Sequence, residues 1–268
     1  MSQRIAILGA GVMGETLLSA ILSSGHPVGD LVITEKREER AAELREAYGV
    51  DVTGNAAAVT DADVILLVVK PQDVAGLLDE IAGAVRPGAT VVSLAAGIRI
   101  ATMAAALPDG VAVVRAMPNT PALVGEGMFG VSPGPAVTDE QLRTVVALLE
   151  AGGKVVVVDE SRQDAVTAVS GSGPAYVFYL AEAMIAGGVA EGLDPDTARI
   201  LAAQTLVGAA KLLAGSDASA EELRRRVTSP NGTTHAAITT FDERGVKDGL
   251  IAGVAACAAR SAELSGPQ

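Results

Sequence analysis

The chain has 268 residues, is 49% hydrophobic but only 2% aromatic, and carries a formal net charge of −12. That length fits one large domain or two modest ones, with a core built from Ala, Val, Leu and Ile, and the acidic balance without any long Lys or Arg run argues against nucleic acid and anionic membranes as main partners. One cysteine rules out an intrachain disulfide and a Cys-rich zinc site, and two histidines far apart give no basis for a histidine metal centre.

The first residues show no signal-peptide pattern, and no apolar run is long and clean enough to span a bilayer, so a soluble cytoplasmic protein is expected. Ile5 to Leu8 reads as a buried parallel strand. Gly9-Ala10-Gly11-Val12-Met13-Gly14 follows, opening a helix over about Val12 to Ser23. Gly9 suits the turn, Gly11 lets backbone approach a pyrophosphate, and Gly14 allows helix to pack closely on strand. The helix N-terminus offers free N–H groups and a positive dipole end.

Leu31 to Thr34 reads as the second strand, ending at Glu35. A carboxylate there suits the adenosine ribose of NAD. Lys36 and Arg37 follow at once and suit a 2′-phosphate, so both cofactors stay open. Part of the run from Lys36 to Arg40 reads as the solvated first turn of a helix.

Val50 to Val52 makes a short third strand, with Asn55 expected in the loop behind it. Asp63 to Val69 is the most strand-like run and ends in Lys70-Pro71-Gln72. Ligands bind beyond the carboxyl ends of strands in open parallel sheets, which puts Lys70 and Pro71 where a cofactor or substrate would be met. Thr90 to Leu94 repeats the pattern and ends in Ala95-Ala96-Gly97, small residues against which a flat ring can lie. Val111 to Arg115 leads into Ala116 to Pro121, where two prolines stiffen the loop. Two further strands are expected at Met128 to Ser132 and Lys154 to Asp159. Between them lies a helix opened by Thr138 with Gln141 as capping-box partner.

From Glu160 the pattern is helical. Ser170 to Pro174 interrupts it, and Pro174 suits the first helical position. Asp194-Pro195 caps the next helix, and Ser219 to Glu222 reads as a capping box. The helices are apolar over most of their circumference, as in Ile200 to Leu213. Helices of that kind are buried, and about a hundred residues offer too little interior for several of them. A two-fold, helix-swapped subunit interface is the expected resolution, with a compact monomeric bundle as the alternative. The sole cysteine, Cys257, lies among alanines and valine and reads as an inert helix-core thiol.

Ser229-Pro230-Asn231-Gly232-Thr233-Thr234 is the informative loop of this half. Leading into a helix, its N–H groups suit a carboxylate, and Thr234 adds a hydroxyl. No Ser-His-Asp set, paired Cys nucleophile or ligand cluster is visible. A site without a strong acid or base suits an imine, whose nitrogen needs little proton help, better than a ketone.

GAGVMG, Val68 to Gln72, Ala95 to Gly97, Arg115 to Pro121, Ser170 to Tyr176 and Val227 to Thr234 together resemble the Δ1-pyrroline-5-carboxylate reductase family over nearly the whole chain. The resemblance implies an α/β fold: a Rossmann-type parallel-sheet dinucleotide domain over 1–159, then an all-helical dimerisation and substrate domain over 160–268. It implies reduction of L-1-pyrroline-5-carboxylate to L-proline, the last step of proline biosynthesis, with NADPH, or NADH as the alternative. Gly9, Ala10, Gly11, Val12, Met13 and Gly14 would hold the pyrophosphate. Glu35, Lys36, Asn55, Val69, Lys70, Pro71, Ala95, Ala96 and Gly97 would line the rest of the cofactor site.

Ser229, Gly232, Thr233 and Thr234 would bind the substrate carboxylate, with Thr234 as proton donor to the ring nitrogen and Glu160 as a further substrate-side acid. No metal is implied. The family builds its site from two intertwined chains, and its dimers often assemble into a decamer. Many members carry Gly where this chain has Asn231, a residue that tolerates positive φ. A β-hydroxyacid dehydrogenase would need a Lys within Pro174 to Gly192, and there is none. A nucleotide-sensing module would have no use for the Ser229 to Thr234 loop.

Overall fold

The computed structural model describes residues 3–266. The chain packs as two units, Met1–Ser172 with Cys257–Gln268, and Gly173–Ala256. The change of pattern at Glu160 thus lies inside the first unit, and the packing division at 172/173 differs from the 159/160 expected from pattern alone. The reason is local. Gln163, fully buried, donates from its side-chain amide to the Gly130 carbonyl at 3.0 Å and the Ser132 hydroxyl at 2.8 Å, tying the first helical turns to the sheet.

The first unit is built on an eight-stranded sheet. Its strands are β1 (Ile5–Leu8), β2 (Leu31–Thr34), β3 (Asp51–Val52), β4 (Val64–Leu67), β5 (Thr90–Ser93), β6 (Ala112–Met117), β7 (Gly127–Pro133) and β8 (Gly153–Val157). The order is β3-β2-β1-β4-β5-β6-β7-β8. Between the strands run α1 (Val12–Ser23), α2 (Glu38–Tyr48), α3 (Asn55–Val59), α4 (Val74–Ile81), α5 (Ile100–Ala106) and α6 (Asp139–Glu150). Two apolar clusters result, one around Ile5, Leu17, Ile33 and Phe129, the other around Ala6, Ile65, Leu78 and Met103. Strands β1, β2, β4 and β5 are buried along their whole length. That is why they appear in sequence as unbroken apolar runs rather than alternating ones.

The last two strands run against the other six, since β8 lies parallel to β7. β7 runs antiparallel to β6. The link between them holds only a 3₁₀ turn, Thr120–Val124, and a parallel return needs a crossover of about a dozen residues or more. Asn55, expected in a loop, opens α3 instead. The Thr138–Gln141 capping box forms as read.

Beyond the sheet come α7 (Gln163–Val166), a π-turn at Thr167–Gly171, α8 (Gly173–Ala190), α9 (Pro195–Ala214), α10 (Ala220–Arg226), α11 (Thr233–Glu243) and α12 (Val246–Leu264). Asp194 caps α9 by accepting the Thr197 N–H at 3.0 Å. At α10 only half the expected box forms. Ser219 accepts the Glu222 N–H, but the Glu222 carboxylate pairs with Arg225 and Arg226 instead of turning back. α8 and α9 approach closely, since a Cβ on Gly188 would stand 3.3 Å from the Ala198 Cβ. Within Gly173–Ala256 only Ala198 and Ala202 are buried apolar residues. Phe178, Tyr179, Ile200, Leu212 and Ile251 are more than half exposed in the single chain.

Candidate active site

A cleft of about 1160 Å³ lies at the carboxyl edge of the sheet, where the strand order reverses between β1 and β4. Such switch points are where open parallel sheets bind ligands. Its walls include Gly9, Ala10, Gly11, Glu35, Lys36, Asn55, Val69 and Lys70. The site residues expected there from the first strand, the second strand and the Lys70 loop are therefore brought together.

The glycines differ in what they permit. Gly9 has φ +101°, and a Cβ on it would stand 2.7 Å from the Val68 carbonyl oxygen. A Cβ on Gly14 would overlap the Gly9 carbonyl, whereas one on Gly11 would meet nothing within 4 Å. That clear space in front of the α1 N-terminus is what a pyrophosphate requires. Gly11 is the N-cap and supplies no side chain to the first-turn N–H groups, which remain available to an anion. The residues present fit a dinucleotide.

Thr34 holds this turn in place. Its carbonyl accepts the Ala10 N–H at 2.9 Å and its hydroxyl accepts the Gly9 N–H at 3.2 Å. Glu15, in the first turn of α1, would oppose a phosphate if its charge were free. Instead it pairs with Arg40 and accepts the Tyr48 hydroxyl at 3.1 Å. Burial and that carboxylate together push the Tyr48 phenol up from its ordinary value.

The remaining residues expected at the cofactor occupy other places. Val12 is exposed on α1, Met13 packs against the core and Gly14 is buried beneath the turn. Pro71 opens a 3₁₀ turn directly after Lys70. Ala95 is buried in the second cluster and Ala96 is exposed. Gly97, with φ +77°, faces Leu264 and Ser265 at the end of the chain. These do not line the cleft.

Sequence reasoning missed Thr34, Thr53, Gly54, Gln72, Asp73, Gly76, Leu77 and Glu80, which do. Five of them lie on α4 or the turn ahead of it, and only folding brings them beside the glycines. Glu80 also orients Asn55, whose amide donates to it at 2.9 Å.

Glu160 starts a 3₁₀ turn after β8. Its carboxylate accepts the Ile100 N–H at 2.8 Å and faces the buried Arg115 at 3.4 Å. It thereby closes the N-terminus of α5 and neutralises a guanidinium inside the first unit. Asn119 braces the same region, accepting the Met128 N–H at 2.8 Å and donating to the Ser170 hydroxyl at 3.2 Å.

In the second unit, the loop Ser229 to Gly232 leads into α11. Asn231 takes φ +58°, the only non-glycine positive φ among the described residues, so the turn is made despite the side chain. Gly232 is the N-cap, contributes no side-chain bond and leaves the first-turn N–H groups of Thr233 and Thr234 open. No acidic residue stands in that turn. Among the described residues, no group of three His, Cys, Asp or Glu is placed to hold a metal, and no helix is long and apolar enough to cross a membrane.

Residues 160–264 match the family model described as pyrroline-5-carboxylate reductase dimerisation, and residues 4–97 match that of NADP oxidoreductase, coenzyme F420-dependent. The pyrroline-5-carboxylate reductase of Corynebacterium melassecola is 44% identical over 264 residues, covering 97% of this chain and 98% of the relative. That of Pseudomonas aeruginosa is 42% identical, covering 98% and 97%. Among solved structures, the Coxiella burnetii pyrroline-5-carboxylate reductase superposes with a TM-score of 0.95 at 30% identity, covering 100% of both chains. The Plasmodium falciparum pyrroline carboxylate reductase, solved with NADP bound, shares the fold at 24% identity and a TM-score of 0.86, covering 98% of both.

Proposed function

The chain belongs to the pyrroline-5-carboxylate reductase family, whose reaction reduces L-1-pyrroline-5-carboxylate to L-proline with NAD(P)H, and we propose that two sets of its residues carry that reaction. A reduced nicotinamide dinucleotide supplies the hydride to the imine carbon. Gly9 to Gly11 and the α1 N-terminus hold the pyrophosphate, Glu35 to Arg37 meet the adenosine end, and Asn55, Val69 and Lys70 line the rest. Residues 1–159 serve the dinucleotide, and 160–268 serve substrate and self-association.

The N–H groups of Thr233 and Thr234 hold the substrate carboxylate, with Ser229 and Gly232 shaping the loop around it. The Thr234 hydroxyl makes no hydrogen bond among the described residues and is free to face the ring nitrogen. There it donates the proton that makes the adjacent carbon electrophilic, and solvent restores it. Glu160 acts at one remove, by fixing the start of α5.

The observation that carries this reading is that the helix N-termini at Gly11 and at Gly232 are both unfilled. Both lack a capping side chain, and neither is followed by a carboxylate that occupies its N–H groups. Two anions, a pyrophosphate and a carboxylate, are what the reaction brings.

The exposed apolar helices and the dimerisation model support a homodimer, and we place five such dimers in a decamer in the cytoplasm. Absorbance at the reduced nicotinamide band tests the chemistry. Purified protein should consume NADPH only when pyrroline-5-carboxylate is present. Light scattering of the eluted peak tests the assembly, and a mass short of ten chains overturns it.

A further inference from the structure

The position after β2 conventionally reads as a carboxylate for ribose hydroxyls, but here that carboxylate is already taken. Glu35 accepts the Arg37 backbone N–H at 2.9 Å and the Arg37 Nε–H at 3.2 Å on Oε1, and the Nη2–H at 3.2 Å on Oε2. Both oxygens are engaged, and the Glu35 side chain is only 9% exposed. The same bonds draw its carboxyl below the usual range. Little of it is left to receive a 2′-hydroxyl.

Arg37 is the reverse case. Its side chain is 71% exposed. A guanidinium has five N–H donors in a fixed fork, and the pairing uses two of them. The remaining donors lie at the same end of the cleft as Lys36, and all three residues line it. The three together carry one net positive charge. Asp73 and Glu80 are the other carboxylates of the cleft; they lie on or just before α4, and Glu80 holds Asn55.

Building on the dinucleotide reading above, we propose that Arg37 is the residue that selects a 2′-phosphorylated cofactor, with Glu35 as the counter-ion that aims its guanidinium. The carboxylate at this position is a support for a cation rather than a ribose ligand. Arg suits the task because its planar fork can serve a carboxylate on one edge and a phosphate on another, which Lys cannot do.

Calorimetric titration with NADP⁺ and with NAD⁺ tests this without relying on turnover. The wild-type chain should bind NADP⁺ more tightly. Arg37→Ala should cut that preference by about tenfold or more, the value of a charge-assisted bond pair, while NAD⁺ still binds and shows the cleft to be folded. Arg37→Lys should recover only part of it. Glu35→Gln keeps an acceptor but removes the opposing charge, so the preference should hold or rise. An unchanged preference in Arg37→Ala, a fall in Glu35→Gln, or a wild-type preference for NAD⁺ each overturns the proposal. Failure of the wild-type chain to bind either dinucleotide overturns the cleft assignment itself, and the proposal with it.

Discussion

Gly14 sits directly against Gly9, so that any Cβ at Gly14 would overlap the Gly9 carbonyl oxygen, while Gly11 between them faces open space. Two glycines of one motif therefore have different tasks, one for the fold and one for the ligand. Gly14→Ala should destabilise the first unit by about 1–3 kcal/mol, the usual cost of overpacking. Gly11→Val should unfold at the wild-type denaturant midpoint yet bind no dinucleotide. Urea unfolding and calorimetry on both variants check the division, and normal binding by Gly11→Val would sink the assignment of the turn.

Thr34 is a second test of the same turn. Replacing it with Val preserves shape but leaves the Gly9 N–H without its hydroxyl acceptor. A part-buried hydrogen bond of this kind contributes about 0.5–1.5 kcal/mol. Thr34→Val should lose that much stability, and dinucleotide affinity should fall severalfold because the turn is less well held. Unaltered values on both counts would show the hydroxyl to be incidental.

Thr234→Ala should reduce kcat by about tenfold or more, the scale of a positioned proton donor. Dinucleotide affinity should be unaffected, and Thr234→Ser should restore most of the rate. Steady-state kinetics with saturating cofactor are sufficient. A wild-type kcat in the alanine variant transfers the proton step to water.

The α9 cap predicts a pH dependence of stability. The Thr197 side chain and N–H hold the Asp194 carboxyl below its ordinary value. A depressed carboxyl stabilises the fold fully above its unfolded pKa and loses that contribution as pH falls through the folded one. The thermal midpoint of Asp194→Ala should thus fall short of wild type at neutral pH. The gap should narrow below about pH 4, near the unfolded value for Asp. A gap that does not vary with pH would mean that charge has no part in the cap.

Most of the architecture was legible in the residues because the central strands are buried on both faces and the helices carry explicit start and stop signals. Gly192 with φ +96° and the Thr138 box are examples. The direction of β7 was not legible, since an apolar run looks the same read either way and the deciding factor was the length of its connection. In the site, spacing picked out Glu35, which does line the cleft, but spacing carries no information on what already occupies a side chain. Arg37 on Glu35, and Arg115 beside Glu160, emerge only from folding. Thr34 and Glu80 escaped notice for a related reason. Each acts through a neighbour distant in sequence, Gly9 and Asn55 respectively, and neither bears a motif of its own.

The helical unit encloses almost nothing, with two alanines as its buried apolar residues. Its conformational entropy must be offset by surface that another copy covers, so its stability is set by how many copies are present. Dilution should then act on this protein as a denaturant acts on a monomer. A cell making half as many chains would hold less than half as much folded enzyme, and newly made chains would wait, sheet formed and helices unsettled, for the encounter that completes them.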